Sequence, residues 1–266
     1  MAEGVMNKSV IGKSLPIIII NRAKDTARRQ VMSQRLDLLG LKYQFFEAVD
    51  GHSFDAHNVP EYDGNRRRQY FGRDLTAGEI GCLLSHRAIY KMMVGENMER
   101  ALILEDDTIF QPEFPEVLSA LLEGDLQWDI LRFLNAAKIL KSPHRLLKSL
   151  STGHNLYTIQ ATPGGAYAYI LTKHAAKRLL DHTEKNWLPI DMMHGWCWKT
   201  KLQVVAMLPS PVVADYDVKS TIGDQRFDKT LHISGIVRAL FPLYRMWFKF
   251  SSGIGKRYAF RILAKK

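Results

Sequence analysis

Cysteine is scarce in this sequence, because the 266 residues contain only Cys82 and Cys197. Their spacing fits neither a zinc site nor a disulfide framework, which excludes a small secreted fold held together by disulfide bonds. We therefore predict two buried thiols in a protein of a reducing compartment.

Long apolar runs are also missing near the N-terminus. The aliphatic segment at residues 15–20 is far shorter than the ~20 residues of a membrane span, and a polar stretch precedes it in place of a signal sequence. No internal repeat is visible. With 46% hydrophobic residues, the composition predicts one sizeable α/β domain or two small ones in a cytoplasmic protein.

Acidic residues are absent after Asp228, although the whole chain carries a formal charge of +10. From about Ile233 onward, basic residues alternate with apolar and aromatic ones, which is typical of an amphipathic segment at an anionic membrane surface. The alternative is that these aromatics pack as a C-terminal helix on the rest of the chain. We predict a domain over residues 1–230 and a basic aromatic tail over 231–266. Nucleic-acid binding is disfavoured, because no recognised motif accompanies the charge.

Strand-length and helix-length patterns alternate along the chain. The LPIIIIN run at 15–21 predicts a buried strand, residues 26–39 an amphipathic helix and residues 43–48 a second strand, which is a βαβ unit. Thr76 and Glu79 have the spacing of a capping box at the start of a long helix. Residues 52–74 are predicted as an irregular loop with weak helical pieces. Further strands are predicted at 101–110, 128–134, 166–171 and 202–208, with a loop at 138–149 and a helix from Lys173.

Three consecutive acids, Glu105, Asp106 and Asp107, follow a buried apolar run. Such a cluster can cap a helix, lie in an exposed loop, or bind a hard cation such as Mg²⁺ or Mn²⁺ beside phosphate oxygens. The residues alone leave these three alternatives open. Ligands of open α/β sheets bind at the carboxyl ends of the strands, where these acids are predicted to lie.

Several other polar positions have both a structural and a functional interpretation. Asn21, Arg22, Arg28 and Arg29 can contact phosphate or base, or they can lie on solvated surface. Ser85 and His86 on the long helix, and the glycine pair Gly164 and Gly165 before a strand, are equally ambiguous. Asp191 can cap a short helix, or it can act as a general base beside tryptophans that stack on a sugar.

Taken in order, five segments resemble glycosyltransferase family 25, the lipooligosaccharide galactosyltransferase family that also includes collagen galactosyltransferases. The segments are LPIIIINRAKDTARRQVMSQRLDLLGLKYQFFEAVDG, LTAGEIGCLLSHRAIYKMM, RALILEDDTIF, GGAYAYILTKHAAKRLL and LPIDMM. Together they cover about residues 15–222, and their combination is far more specific than any one segment.

The resemblance implies a GT-A-type fold, which is a Rossmann-like, mostly parallel sheet flanked by helices, here with a basic C-terminal helical tail. It also implies a UDP-galactose donor, inversion to a β-linkage, and Mn²⁺ or Mg²⁺ bound by Asp106 and Asp107. Asp191 occupies the position of the catalytic base. His194 is the candidate for a further metal ligand, with His232 as a weaker alternative. The predicted donor-binding residues are Asn21, Arg29, Asp50, Ser85, His86, Glu105, Asp106, Gly164 and Gly165.

The resulting hypothesis is a peripheral enzyme on the inner face of a Gram-negative inner membrane, which transfers galactose to a lipid-linked lipooligosaccharide or lipopolysaccharide acceptor. Two alternatives remain. One is a non-catalytic protein of this fold that binds a nucleotide sugar or serves in membrane assembly. The other is a transferase that uses UDP-glucose or a UDP-N-acetylhexosamine.

Overall fold

The structure of the chain is a computed structural model that describes residues 15–123, 128–218, 223, 228 and 230–262. Its strands are β1 Ile17–Asn21, β2 Gln44–Glu47, β3 Arg100–Glu105, β4 Thr108–Phe110, β5 Ile130–Phe133, β6 His144–Ser149, β7 Asn155–Ile159, β8 Ala168–Thr172, β9 Val204–Leu208 and β10 Val212–Ala214. Its helices are α1 Thr26–Leu38, α2 Gly64–Phe71, α3 Ala77–Gly95, α4 Phe114–Glu123, α5 Ala136–Ile139, α6 Lys173–His182, α7 Ile190–His194, α8 Cys197–Thr200 and α9 Gly235–Ile262. A 3₁₀ turn spans Ala56–Asn58.

Eight strands form one sheet in the order β2-β1-β3-β8-β5-β9-β7-β6, and β4 pairs with β10 in a separate ribbon. Neighbours pair in parallel at β2-β1, β1-β3 and β5-β9, and antiparallel at β3-β8, β8-β5, β9-β7 and β7-β6. Only β7 and β8 therefore run against the common direction of this sheet. The predicted α/β class, with a mostly parallel Rossmann-like sheet, flanking helices and a C-terminal helix, is confirmed.

The isoleucine run of β1 supplies side chains to both faces of the sheet. Alternate strand residues point to opposite faces, and all five residues of β1 are buried. Ile17 and Ile19 join a core cluster with Met32 of α1, while Ile18 and Ile20 join a second cluster with Leu83 of α3. Burying each side chain stabilises the fold by about 1.5–3 kcal/mol. Coverage on both faces explains why this strand is uniformly apolar rather than alternating.

The predicted capping box is present at the start of α3. Thr76 Oγ1 accepts a hydrogen bond from the Glu79 amide, and the Glu79 carboxylate accepts one from the Thr76 amide. The loop after β2 crosses this helix at Gly51 and Gly81. A Cβ atom on Gly51 would lie 1.8 Å from the carbonyl oxygen of Ala77. Two glycines thus allow the backbones to touch, which holds the β2 loop against α3.

Some regions differ from the sequence-based expectations. The predicted strand at 101–110 is divided by a turn at Asp106 and Asp107 into β3 and β4, and β4 pairs with β10 outside the main sheet. The predicted loop at 138–149 contains the end of α5 and all of β6, and β7 beside it was not predicted. β6 lies at the edge of the sheet with mostly exposed side chains, so it lacks the apolar pattern of a buried strand. The region at 52–74, predicted as an irregular loop with weak helical pieces, contains the 3₁₀ turn and the eight-residue helix α2, whose arginine run gives no apolar periodicity.

The C-terminal helix α9 packs one of its faces on α2 and α8. Phe248 contacts the rings of Tyr70, Phe71 and Trp187. Gly255 lies against Trp198, since a Cβ atom there would be 2.4 Å from the indole. On this face of α9, the aromatic residues therefore pack as a C-terminal helix on the rest of the chain, which was the alternative to a membrane-binding segment.

The opposite face of α9 carries an exposed apolar stripe with a spacing of three to four residues. Its members are Ile236, Leu240, Leu243, Met246, Trp247, Phe250, Ile254, Tyr258 and Ile262. Among the described residues, no helix combines the length and hydrophobicity that crossing a membrane requires. Lys265 and Lys266 of the predicted tail lie outside the described residues, and the division of the chain near residue 230 stays a prediction.

Candidate active site

A cleft opens where β1, β2 and β3 end at the same edge of the sheet. Asn21 and Glu105 are the last residues of β1 and β3, and Asp106 and Asp107 follow at once. The residues that line the cleft are Ile20, Asn21, Arg22, Asp25, Arg28, Ala48, Val49, Asp50, Gly51, His52, Gly78, Cys82, Ser85, Glu105, Asp106 and Asp107. Parallel strand direction therefore brings together side chains that are more than 80 residues apart in the chain.

The two aspartates are held by Arg28 and Asn21. Asp106 accepts a hydrogen bond of 2.7 Å from the Asn21 amide, and its other oxygen lies 2.9 Å from Arg28 Nη1. Arg28 Nη2 lies 3.3 Å from Asp107 Oδ2. Asp107 Oδ1 is buried and has no hydrogen-bond partner within the described part of the chain. One carboxylate oxygen thus remains available to a ligand.

Burial and mutual repulsion disfavour the ionised form of both aspartates. Burial raises the pKa of Asp106 above its usual value. The pKa of Asp107 rises to about 7, first through burial and then through the charge of Glu105, although Arg28 opposes the shift. A divalent cation would relieve both effects, because hard cations take carboxylate oxygens. The donor set and the unpartnered oxygen of Asp107 therefore fit Mg²⁺ or Mn²⁺.

Asp50 and Ser85 also line the cleft. Asp50 pairs with Lys24, and this hydrogen bond is the main reason why the pKa of Asp50 lies below its usual value. Ser85 Oγ accepts a hydrogen bond from the Val49 amide and donates one to the Gly81 carbonyl. Ser85 therefore holds the β2 loop on α3, and any contact with a ligand would be additional to this role.

Asp191 lies on the first turn of α7, next to the glycine pair. Pro189 is the residue that caps this helix, so Asp191 is not the cap that one interpretation of the sequence gave. Its Oδ2 accepts a 2.8 Å hydrogen bond from the Gly165 amide, and a Cβ atom on Gly164 would come within 3.0 Å of the same oxygen. Glycine at 164 therefore leaves room for the carboxylate.

Asp191 is connected to the carboxylate cluster through the start of β8. The Glu105 amide donates a hydrogen bond to the carbonyl of Tyr167, two residues beyond Gly165. Arg132 of β5 is fully buried, and its Nη1 lies 3.2 Å from the Pro163 carbonyl and 3.5 Å from the Asp191 carbonyl. Asp191 and the acids thus occupy the same edge of the sheet.

His86 and His194 lie behind the cleft in a chain of buried hydrogen bonds. His86 Nδ1 is 2.6 Å from the Tyr169 hydroxyl, which is 3.0 Å from the Tyr90 hydroxyl, and Tyr90 is 2.8 Å from His194 Nε2. Both imidazoles are fully buried. Burial and the positive charge of Arg132 hold the pKa of His194 well below its usual value.

Not every predicted site residue reaches the cleft. Six of them line it, namely Asn21, Asp50, Ser85, Glu105, Asp106 and Asp107. The lining does not include His86, Gly164, Gly165, Asp191 or His194. The Arg29 guanidinium stacks 4.2 Å from the centre of the Phe45 ring, outside the cleft lining. His232 lies in a different surface groove with Tyr70 and Tyr244. The ligand-binding roles assigned to all these residues stay predictions.

Asp25 lines the cleft but was not singled out by sequence reasoning, and the roles of three other residues were undervalued. Arg22 lines the cleft, as one of its two interpretations allowed. Cys82 also lines it, and the two cysteines are half-buried rather than buried. Arg28 had a solvated helix face as its commoner interpretation, yet it bridges both aspartates. Arg28 lies in the first turn of the helix that follows β1, and this position is a usable signal for a cleft-facing arginine. Arg132 carries another signal, because a charged residue interrupts an otherwise apolar strand.

Ligands of open α/β sheets bind at the carboxyl ends of the strands, which is where the carboxylate-lined cleft lies. Comparison with known proteins identifies the family. The sequence profile described as "Glycosyltransferase family 25 (LPS biosynthesis protein)" matches residues 14–194. This match covers more than half of the chain, so the chain belongs to glycosyltransferase family 25.

Individual relatives share part of the sequence. A "Glycosyltransferase 25 family member" of Aedes aegypti is 29% identical over 187 residues, which are 66% of this chain and 29% of the relative. "Procollagen galactosyltransferase 2" of Mus musculus is 30% identical over 143 residues, or 50% of this chain and 23% of the relative. "Inactive glycosyltransferase 25 family member 3" of Homo sapiens is 27% identical over 192 residues, or 66% and 30%. The matched part thus spans less than a third of each of these relatives.

Proposed function

We propose that this protein is an inverting hexosyltransferase that moves galactose from UDP-galactose onto a lipooligosaccharide or lipopolysaccharide saccharide in β-linkage. The observation that carries the proposal is the placement of Asp191 and the Glu105–Asp107 carboxylates at one edge of the sheet. A donor diphosphate beside the acids would thereby bring its sugar towards Asp191. The family's description as an LPS biosynthesis protein and a relative named as a galactosyltransferase support the acceptor and the donor.

In the proposed reaction the Asp191 carboxylate accepts the proton of the acceptor hydroxyl. The acceptor oxygen bonds to the anomeric carbon, the bond from that carbon to the diphosphate oxygen breaks, and the electron pair leaves with UDP. Both Asp191 oxygens already accept one backbone hydrogen bond, from Gly165 and from Met192. A carboxylate has about four lone-pair sites, so these bonds orient it and still leave sites for the proton.

The leaving diphosphate is the group that gains negative charge during this step. Arg22 and Arg28 line the cleft and place two guanidinium groups near the proposed diphosphate position. Asp106 and Asp107 would hold Mn²⁺ or Mg²⁺, which when bound supplies Lewis-acid neutralisation of the diphosphate oxygens. Arg28 is then free to turn from the aspartates to the phosphates.

Replacement of Asp191 by Asn tests the role of the base. We expect turnover to fall by ~10² to 10⁴, the range for loss of a general base, while UDP-galactose affinity stays unchanged. The control is Asp181→Asn on the exposed surface of α6. Turnover is read as UDP release with a saccharide acceptor, and affinity by calorimetry. An equal loss of UDP-galactose binding would make Asp191 a donor ligand instead.

One observation favours a second candidate, a nucleotide-sugar-binding protein without transferase activity. A similar human protein is named as inactive, so membership of the family does not by itself establish turnover. UDP release from UDP-galactose, UDP-glucose and UDP-N-acetylglucosamine, each with and without acceptor, separates the candidates. If all three nucleotide sugars bind but none releases UDP, the non-catalytic alternative is favoured. If UDP is released from UDP-glucose or UDP-N-acetylglucosamine instead of UDP-galactose, that sugar replaces galactose in the proposal.

We also propose that the exposed stripe of α9 rests on an anionic membrane surface, where a lipid-linked acceptor would be found. The stripe is flanked by the exposed cations Arg238, Lys249, Arg257 and Arg261. Each cation near such a surface contributes ~1 kcal/mol, and the stripe adds apolar burial at the interface. In the proposed arrangement the enzyme would lie on the cytoplasmic leaflet, and no helix of the described chain would cross the membrane.

Cosedimentation with lipid vesicles tests the stripe. Trp247→Asp should strongly reduce binding to anionic vesicles, whereas Leu38→Asp, at an 87% exposed leucine of α1, should not. Binding should also weaken as salt is added. If both variants sediment alike, or if neutral vesicles bind as well as anionic ones at low salt, α9 has no membrane role.

A further inference from the structure

Three side chains of different chemistry meet at the cleft, apart from the Asp106–Asp107 pair: Cys82 and Glu105 line it, and His86 is buried directly behind them. Cys82 and His86 are four residues apart on α3, so they lie on the same face of that helix. Glu105 approaches them from the end of β3. The thiol sulfur, an imidazole nitrogen and a carboxylate oxygen all lie within 4.8 Å of one another.

His86 is the member of this group with an unused ligand atom. The imidazole is fully buried, and its Nε2 has no hydrogen-bond partner among the described residues. Glu105 Oε1 lies 3.9 Å from Nε2, which is too far for a hydrogen bond. On the other side of the ring, Nδ1 is 2.6 Å from the Tyr169 hydroxyl. Histidines that ligate a metal are typically held in this way, with the second nitrogen fixed by another polar group.

We propose that Cys82 Sγ, His86 Nε2 and the Glu105 carboxylate bind a borderline divalent transition-metal ion, with Zn²⁺ as the representative case. Thiolate and imidazole ligands favour such ions over Mg²⁺ and Mn²⁺, which prefer the oxygen-only set of Asp106 and Asp107. The three ligands are those of a site with one open position, which faces the cleft.

The geometry needs only a small adjustment. Zinc–ligand distances of about 2.0–2.3 Å place the ligand atoms of a tetrahedral site roughly 3.3–3.8 Å apart. Because the donor atoms now lie within 4.8 Å of one another, they must close by up to about 1.5 Å. The Glu105 side chain is partly exposed and can make this movement, whereas His86 is held in place by Tyr169.

An ion at this position would share the cleft with the nucleotide sugar. Cys82 and Glu105 both line the cleft. We therefore expect Zn²⁺ and UDP to compete, and this consequence rests on the proposed function. Metal binding itself does not depend on it, because it can be measured without nucleotide.

The test uses the full chain with Co²⁺ as a spectroscopic probe and Zn²⁺ as its competitor. We expect one equivalent of Co²⁺ to give a thiolate-to-cobalt charge-transfer band that Zn²⁺ abolishes. Cys82→Ser should lose the band, and its Zn²⁺ affinity should fall at least tenfold. Cys197→Ser is the matched cysteine control and should keep both. Tyr169→Phe should keep the band but weaken Zn²⁺ binding about 10- to 100-fold, as for loss of a group that orients a ligand.

Asp107→Asn separates the two metal sites, because it should leave the cobalt band intact. The proposal is overturned if Cys82→Ser binds Zn²⁺ as tightly as the wild type, or if the band is lost in Asp107→Asn instead. If Cys82→Ser does not fold, alkylation of the wild-type thiol provides the readout. Zn²⁺ should slow modification of Cys82 where Mg²⁺ does not, and equal rates with both ions would also overturn the proposal. If Zn²⁺ binds as expected but does not compete with UDP, the metal site stands and the proposed position of the UDP-sugar donor is wrong.

Discussion

Replacement of Asp107 by Asn should stabilise the metal-free protein at pH 8. Burial, and then the charge of Glu105, raise the pKa of Asp107 to about 7 in the folded protein, whereas an unfolded aspartate titrates near 3.9. Between these two values the folded state keeps a proton that the unfolded state has lost. The wild-type free energy of unfolding therefore falls as pH rises through this window and is level above it. A neutral asparagine side chain has no such dependence.

The size of the effect follows from the width of the window. A shift of about three pKa units corresponds to an upper limit of roughly 4 kcal/mol. The neighbouring carboxylates share this penalty and the side chain keeps some contact with water, so we expect a gain of about 1–3 kcal/mol at pH 8. For a chain of this size each kcal/mol raises the Tm by about 2–4 °C. The gain should shrink towards zero as the pH is lowered towards 4.

Thermal unfolding of both proteins at pH 5, 6, 7 and 8 in the presence of a chelator measures the gain. Asp50→Asn is the matched control in the same cleft. The hydrogen bond from Lys24 lowers the pKa of Asp50, so its loss should give no gain at pH 8. Addition of Mn²⁺ at one thousand times its Kd should reverse the order, because the ion then stabilises the wild type by about 4.1 kcal/mol. A gain that is equal at pH 5 and pH 8 would refute the reasoning.

Two further predictions concern close backbone contacts. Gly51→Ala should destabilise the fold by about 1–3 kcal/mol and weaken UDP binding. The added methyl group would clash with the backbone of α3 and displace the loop that carries Asp50. An unchanged Tm and an unchanged UDP affinity by calorimetry would contradict this. Gly255→Ala should loosen the packing of α9 on Trp198 and speed proteolysis of α9. Gly253→Ala, which has open space around its Cβ position, should not. Equal digestion rates for the two variants would show that the packing of α9 does not depend on the contact between Gly255 and Trp198.

The parts of the fold that the sequence predicted are those in which local chemistry and burial agree. The four isoleucines of β1 are apolar because both faces of the strand are covered, and a run without alternation is the signature of such a strand. The Thr76–Glu79 capping box requires only residues within one turn. β6 was missed for the opposite reason. It is an edge strand whose exposed side chains have no apolar partner to impose a pattern.

The candidate site likewise contains some residues that the local sequence predicts and others that it does not. Glu105, Asp106 and Asp107 are adjacent in sequence at the end of a recognisable strand, so their grouping in the cleft could be predicted from β3 alone. Arg28 could not be assigned in this way, because helix periodicity does not state whether a charged residue faces a cleft or bulk water. His194 was expected near the metal site as a histidine close to Asp191. The structure places it in a buried hydrogen bond with Tyr90, which no local pattern indicates.

The direction of β8 is the feature on which the proposed two-part site depends most. Gly165, which contacts Asp191, precedes β8, and a residue that precedes a strand lies at the edge where that strand begins. Because β8 runs antiparallel to β3, this edge is the one where β3 ends in Glu105. In a parallel arrangement the five residues of β8 would carry Gly165 to the opposite edge, roughly 17 Å away at about 3.3 Å per residue. Strand direction is set by packing across the whole sheet and leaves no trace in the residues of β8. The acids and Asp191 can therefore each be recognised in the sequence, but their common position at one edge is a property of the folded sheet.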